Sequence, residues 1–240
     1  MDKDKLWYLS RINLFSDLDP ATLKELDRVS PMVLVPRGAI LLRPDEPPSV
    51  LYFLKRGRVR LYKVKPDGRE VTLAVLGDGN VFGATGSIDL GGEGTYAQVM
   101  DEALVCAMHL ADVEELLRRQ PAVAMRLISL LGERVRDLET MVENLTHLDV
   151  GCRLLFLLTG LAKDFGTAAD DGFTCLDVPL THEEIATMVG STRETVSATL
   201  SRLAKEGIVR TGRRQVQIQL TAAAAVLAGN GDGCVSGSAP

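Results

Sequence analysis

A chain of 240 residues, 46% hydrophobic and 25% charged, suits one large domain or two of ordinary size with a properly buried core. No apolar run approaches the roughly 20 residues that cross a bilayer; CRLLFLLTGLA is closed off by Arg153 and Lys163, and MDKDKLWYL lacks a signal peptide's apolar region, so a cytoplasmic protein without a membrane partner is expected. The net charge of -5 argues against nucleic acid as a partner of the whole chain, yet from Leu180 to Thr221 six basic residues face four acidic ones, which leaves +2 there and -7 elsewhere.

From about Val33 to Leu110 short β-branched and aromatic runs alternate with glycine: VLYFLKRGRVRLYKV, REVTLAVLG, NVFGATGSI, TYAQVM and ALVCAM. Strands of this length with such closely spaced turn signals predict an antiparallel roll or barrel. KPDGRE reads as a hairpin turn, with Pro66 setting φ and Gly68 free to take positive φ.

A helical texture follows from near Ala111. Ala124, Ile128, Leu131, Val135, Leu138, Val142 and Leu145 recur at spacings of 4 and 3, with Glu133, Arg134, Arg136, Asp137 and Glu139 between them. A heptad seam of this kind serves either one stripe against its own core or a partner helix. Its span of about three heptads, ending in the hinge-like HLDVG, favours a homodimer contact through Ile128, Leu131, Val135, Leu138, Val142 and Leu145.

The segment LDVPLTHEEIATMVGSTRETVSATLSRLAKEGIVRTGRRQVQIQLT reads as two short helices, a longer one and a hairpin. Thr181 with Glu184 three residues on forms a capping box, and Gly190 ends that helix where a left-handed residue is tolerated. Thr192 or Ser191 caps the next helix, whose Val196, Leu200 and Leu203 face inward and leave Arg193, Glu194 and Ser197 facing out near its N-terminal end. A helix-turn-helix inserts that end into the major groove. The hairpin is a β-wing whose Arg213 and Arg214 can meet phosphate.

From about Leu14 to Leu220 the chain resembles the CRP/FNR family of bacterial transcription regulators. The resemblance rests on EEIATMVGSTRETVSATLSRLAKEGIV, LDVGCRLLFLL and LYFLKRGRVRLYKVKPDGREVTLAVLGDGNVFG, in the family's order and spacing. It implies an α+β chain with an N-terminal cyclic-nucleotide-binding-type β-roll over 1–118, a long dimerisation helix and hinge over 119–149, and a C-terminal winged helix-turn-helix over 150–221. The tail over 222–240 begins as a possible helix turn and ends in Gly, Ser and Asp, so disorder is expected there. The resemblance also implies a homodimer on pseudo-palindromic double-stranded promoter DNA, contact with RNA polymerase, and activation rather than repression.

Carried over residue by residue, the resemblance places Arg193 and Glu194 on a G·C pair, since arginine suits guanine O6 and N7 and glutamate accepts from cytosine N4. Ser197 stands where some members use a serine near a thymine. Ala198 stands where a second base-reading arginine is common, so the target should be less discriminating there. Thr181, His182, Thr192 and Thr195 are expected at phosphates.

The sensor matches less well. Gly83 is in place, but Ala84 stands for the glutamate that holds a ribose hydroxyl, and Thr95 and Tyr96 stand for the Arg-Ser pair that binds a cyclic phosphate. Leu138 and Glu139 occupy the positions of hydroxyls that face adenine. A buried phosphate without a charge partner is costly, so control by cyclic AMP in the usual way is not expected. The cysteines Cys106, Cys152, Cys175 and Cys234 form no C-x-x-C pair and are expected to be reduced and mostly structural. They offer no N-terminal iron–sulfur cluster, and no metal or cofactor is implied. Two gates stay open, a different small ligand or cyclic nucleotide in an altered pocket, or none at all. A nucleotide-sensing regulatory module that does not bind DNA is the alternative of another class. Catalysis is not expected: HEE at His182 lacks the second histidine of a zinc motif, because residue 186 is alanine.

Overall fold

The computed structural model describes residues 14–15, 18–46, 49–85, 88–90, 94–169, 171–212 and 215–229. The chain divides into two compact units, Met1–Val135 and Arg136–Pro240.

The first unit contains helix α1 (Pro20–Val29), strands β1 (Met32–Val35), β2 (Ile40–Leu42), β3 (Ser49–Arg56), β4 (Val59–Val64), β5 (Glu70–Leu76), β6 (Val81–Thr85), β7 (Ile88–Leu90), β8 (Tyr96–Val99) and β9 (Ala103–His109), helix α2 (Leu110–Arg119), and the beginning of α3 (Pro121–His147). The strands form two antiparallel sheets, ordered β1-β9-β3-β6-β7 and β2-β8-β4-β5. Successive strand residues point to opposite faces, and the five-stranded sheet uses both. Leu51, Phe53, Val81, Cys106 and Met108 join Leu23 and Leu26 of α1, Val113 and Leu116 of α2, and Val123 and Leu127 of α3 in one core. Their neighbours Leu54, Phe82 and Val105 pack with Val59 and Leu61 of β4 and Ala97 and Val99 of β8 in a second core. The roll is therefore closed by helices on one face and by the four-stranded sheet on the other. The KPDGRE turn joins β4 to β5 as expected, with the Gly68 N–H donating to the Lys65 carbonyl at 2.8 Å.

Helix α3 is 27 residues long, about 40 Å at 1.5 Å per residue. In the second unit it is followed by α4 (Val150–Phe165), β10 (Gly166–Ala168), β11 (Thr174–Leu176), α5 (His182–Met188), α6 (Arg193–Lys205), β12 (Val209–Gly212), β13 (Gln215–Ile218) and α7 (Leu220–Gly229). Asp149 caps α4, its carboxylate accepting from the Cys152 N–H at 2.8 Å. Leu154, Leu155 and Leu158 of α4, Ile185 of α5, and Val196, Leu200 and Leu203 of α6 are all buried.

The structure corrects four expectations. From Leu176 to Thr221 there are two complete helices, not three, because Val178–Leu180 is extended. The wing is a four-stranded sheet, ordered β10-β11-β13-β12, because the strands after α4 pair with the C-terminal hairpin. The stretch from residue 222, expected to be disordered, begins inside α7, where Ala223 is fully buried; an alanine-rich run forms a helix readily once one residue is anchored. Residues 230–240 lie outside the described residues. Cys106 and Cys175 are not in disulfides, whereas Cys152 is disulfide-bonded, against the expectation of reduced cysteines. Disulfides depend on spatial approach, with Cα atoms closer than about 7 Å, which sequence spacing does not reveal.

Candidate nucleic-acid interface

The outward end of α6 is prepared by the two helix starts around it. Thr181 caps α5 with a complete capping box: its hydroxyl accepts from the Glu184 N–H at 3.2 Å, and the Glu184 carboxylate accepts from the Thr181 N–H at 2.7 Å. Gly190 then turns the chain at φ 62°, the left-handed region where a side chain is strained. A Cβ there would stand 3.0 Å from the Leu145 side chain. Thr192 caps α6, its hydroxyl accepting from the Thr195 N–H at 3.2 Å and pairing with the Thr195 hydroxyl at 3.0 Å.

With Val196 and Leu200 inward, Arg193, Glu194, Thr195 and Ala198 are exposed and Ser197 is half-buried. The first turn of α6 thus presents a cation, a carboxylate and hydroxyls on one surface, a donor and acceptor set suited to base edges and phosphate oxygens. His182 opens α5, and its Nδ1 lies 2.8 Å from the Ser197 Oγ. The structure therefore brings together Thr181, His182, Thr192, Arg193, Glu194, Thr195 and Ser197 on the α5–α6 pair. Arg213 and Arg214 lie outside the described residues. Arg210 of the wing sits 3.8 Å over the Phe173 ring and is ion-paired with Asp171, whose carboxyl this contact holds below its ordinary value.

In the roll, Gly83 adopts φ 108°, and a Cβ there would lie 2.5 Å from the Val50 carbonyl oxygen of the neighbouring strand. Ala84 and Thr95 are buried. Tyr96 stacks on Tyr62 with ring centroids 5.1 Å apart and planes 13° apart, and the Arg60 guanidinium lies 4.5 Å over Tyr62. That guanidinium is held by the Thr72 hydroxyl at 3.0 Å and the Glu70 carboxylate at 2.7 Å. Burial first, and then the Glu70 charge, push the Tyr62 phenol up from its ordinary value.

Along α3 the seam residues Ile128, Val135, Leu138, Val142 and Leu145 are exposed, as is Glu139, while Leu131 packs partly on the roll core. Met125 and Met141 are exposed beside them. Reading only the heptad positions misses these two, although each lies three residues from a seam position and so shares its face.

Residues 32–120 match the cyclic nucleotide-binding domain and residues 152–224 match the Crp-like helix-turn-helix domain. The chain belongs to the CRP/FNR family of transcription regulators. Among family members, a global nitrogen regulator of Nostoc sp. is 31% identical over 185 residues, covering 76% of this chain and 82% of that one. A CRP-like cAMP-activated global transcriptional regulator of Mycobacterium tuberculosis is 30% identical over 210 residues, covering 88% and 93%. The solved structure of a CooA mutant from Carboxydothermus hydrogenoformans is 27% identical with a TM-score of 0.71, covering 95% and 97%. Membership makes the chain a DNA-binding transcription regulator of CRP/FNR type and not an enzyme. Among the described residues no helix is long and apolar enough to cross a membrane.

Proposed function

We propose that this regulator works as a homodimer joined along α3, which sets two α6 helices against two half-sites of a pseudo-palindromic promoter about one helical turn apart. Arg193 and Glu194 read a G·C pair in each half-site. Ser197 contributes at a neighbouring base pair, and Thr181, His182, Thr192 and Thr195 approach phosphates together with Arg213 and Arg214. The observation that carries this reading is the exposure of Arg193 and Glu194 in the first turn of α6, while Val196 and Leu200 anchor the same helix in the core. The exposed apolar stripe from Ile128 to Leu145 supports the homodimer. Bound in this way the dimer contacts RNA polymerase and activates transcription.

The regulator does so without cyclic AMP. Thr95 and Tyr96 supply no cation at the phosphate position, Thr95 is buried, and Tyr96 is committed to its stack on Tyr62. The test is a mobility shift on family-type palindromes with protein purified free of ligand, with and without added cyclic AMP. A sequence-preferring shift that cyclic AMP leaves unchanged is expected. No sequence preference under either condition defeats the regulator reading, and a shift that appears only with cyclic AMP defeats the reading of the pocket.

A further inference from the structure

Ser197 behaves differently from other hydroxyls of α6. Thr199 donates to the Thr195 carbonyl and Ser201 to the Ser197 carbonyl, each at 2.8 Å, the backward bond that hydroxyl side chains make inside helices. The Ser197 hydroxyl instead meets Nδ1 of His182 at 2.8 Å, across the turn between the two helices. Both ends of this bond are held. His182 follows the capping box that fixes the start of α5, and Ser197 lies between the buried Val196 and Leu200. Ser197 also sits four residues beyond Arg193, on the helix face that residue occupies.

We infer that His182 is a positioning residue that fixes the hydrogen-bonding sense of Ser197 and thereby sets which base Ser197 selects. A serine hydroxyl rotates to donate or accept and so meets either kind of base edge. An imidazole whose tautomer is fixed by a second partner removes that freedom. When Nε2–H is donated to a DNA phosphate oxygen, the neutral ring offers Nδ1 as an acceptor. The Ser197 O–H then donates to His182, and its Oγ presents only lone pairs to the groove. An acceptor at that place selects a base amino group, adenine N6 or cytosine N4, over the acceptors thymine O4 and guanine O6. One side chain thus couples backbone contact to base choice, in addition to the phosphate role proposed above.

The inference rests on α6 being the base-contacting helix, and the experiment separates the two. Half-site duplexes randomised one base pair at a time are bound competitively by the full-length wild type and by H182A, S197A, H182A/S197A, H182N, H182Q and R193A, with circular dichroism confirming that each is folded. The wild type should favour an amino-bearing base at the Ser197 position by about 2- to 12-fold, the range of one net hydrogen bond. H182A and S197A should lose that preference at the same base pair, and the double variant should lose no more than either. H182N, whose amide oxygen takes the place of Nδ1, should keep the preference while binding all sequences more weakly. H182Q, whose amide reaches the place of Nε2 and leaves no acceptor at the place of Nδ1, should lose the preference, with binding to all sequences weakened no more than by H182A. Uniformly weaker binding by H182A with the preference intact, or additive losses in the double variant, overturns the coupling. If the wild type selects no base pair that R193A relaxes, the α6 reading itself fails and the coupling with it.

Discussion

Replacing Leu138 by glutamate perturbs the proposed dimer without touching the core of either unit. Ile128, Val135, Leu138 and Val142 each expose between 53% and 61% of their surface in the single chain. About half of each side chain therefore remains to be buried, worth about 1 kcal/mol apiece from the 1.5–3 kcal/mol of a fully buried aliphatic side chain. Two chains together gain on the order of 10 kcal/mol when Leu131, Leu145 and the flanking methionines are included, enough to offset an association cost of about 4–15 kcal/mol. Leu138→Glu removes about 1 kcal/mol per chain and sets a carboxylate from each chain in a desolvated seam, at several kcal/mol per ion. A loss of at least about 4 kcal/mol corresponds to roughly a thousandfold weaker dimer. Sedimentation velocity over a range of concentrations reads this directly, with circular dichroism as the control for folding. A variant that still sediments as a dimer at wild-type concentrations refutes the assignment of this face to the homodimer.

Three further substitutions test other parts of the chain. Gly83→Ala puts a Cβ 2.5 Å from the Val50 carbonyl oxygen in a backbone of φ 108°; strain and clash together should cost about 2–4 kcal/mol, seen as a fall in the roll's melting temperature, and an unchanged melting curve contradicts the close approach. Thr181→Ala removes the hydroxyl that accepts from the Glu184 N–H and donates to its carboxylate at 2.8 Å and should lower stability by about 0.5–2 kcal/mol in chemical denaturation, whereas Thr181→Ser should restore most of it. Burial, partly offset by the Gly57 N–H donated to it at 2.9 Å, holds the Asp78 carboxyl above its ordinary value of 3.8. The folded chain binds this proton more tightly than the unfolded one, so its contribution to stability is full below 3.8 and is lost as pH rises through the raised native value. Asp78→Asn should flatten that part of the stability–pH profile, and an identical slope in wild type and variant rules the assignment out.

Local signals carried much of the fold into the sequence. The capping box at Thr181 and Glu184, the left-handed Gly190 and the inward triad Val196, Leu200 and Leu203 each depend on residues within one or two turns, so spacing alone predicts them. The long helix is legible because its apolar repeat persists without proline or capping breaks from Pro121 to His147. Non-local choices are different. The pairing of β11 with β13 joins residues about forty positions apart, and its short strand offers only three residues of pattern, so the wing reads as a lone hairpin. The burial of Ala223 depends on tertiary packing, whereas AAAAVLAGNGDG shows only an alanine run followed by glycine. In the candidate interface, helical phase alone places Arg193, Glu194 and Ser197 off the buried face of Val196, Leu200 and Leu203. The tie between His182 and Ser197 crosses a turn whose geometry sets which side chains meet, and nothing in the spacing of 15 residues announces it.

The most direct measurement of the central claim is competitive binding of ligand-free protein to a two-half-site duplex, comparing G·C with A·T at the pair assigned to Arg193 and Glu194, for wild type and Arg193→Ala. The wild type should favour G·C by about 1–3 kcal/mol, and Arg193→Ala should lose that preference while retaining weaker, salt-sensitive binding to both duplexes. Equal binding of both duplexes by the wild type, or a G·C preference that survives Arg193→Ala, would contradict the assignment of α6 as the helix that reads DNA.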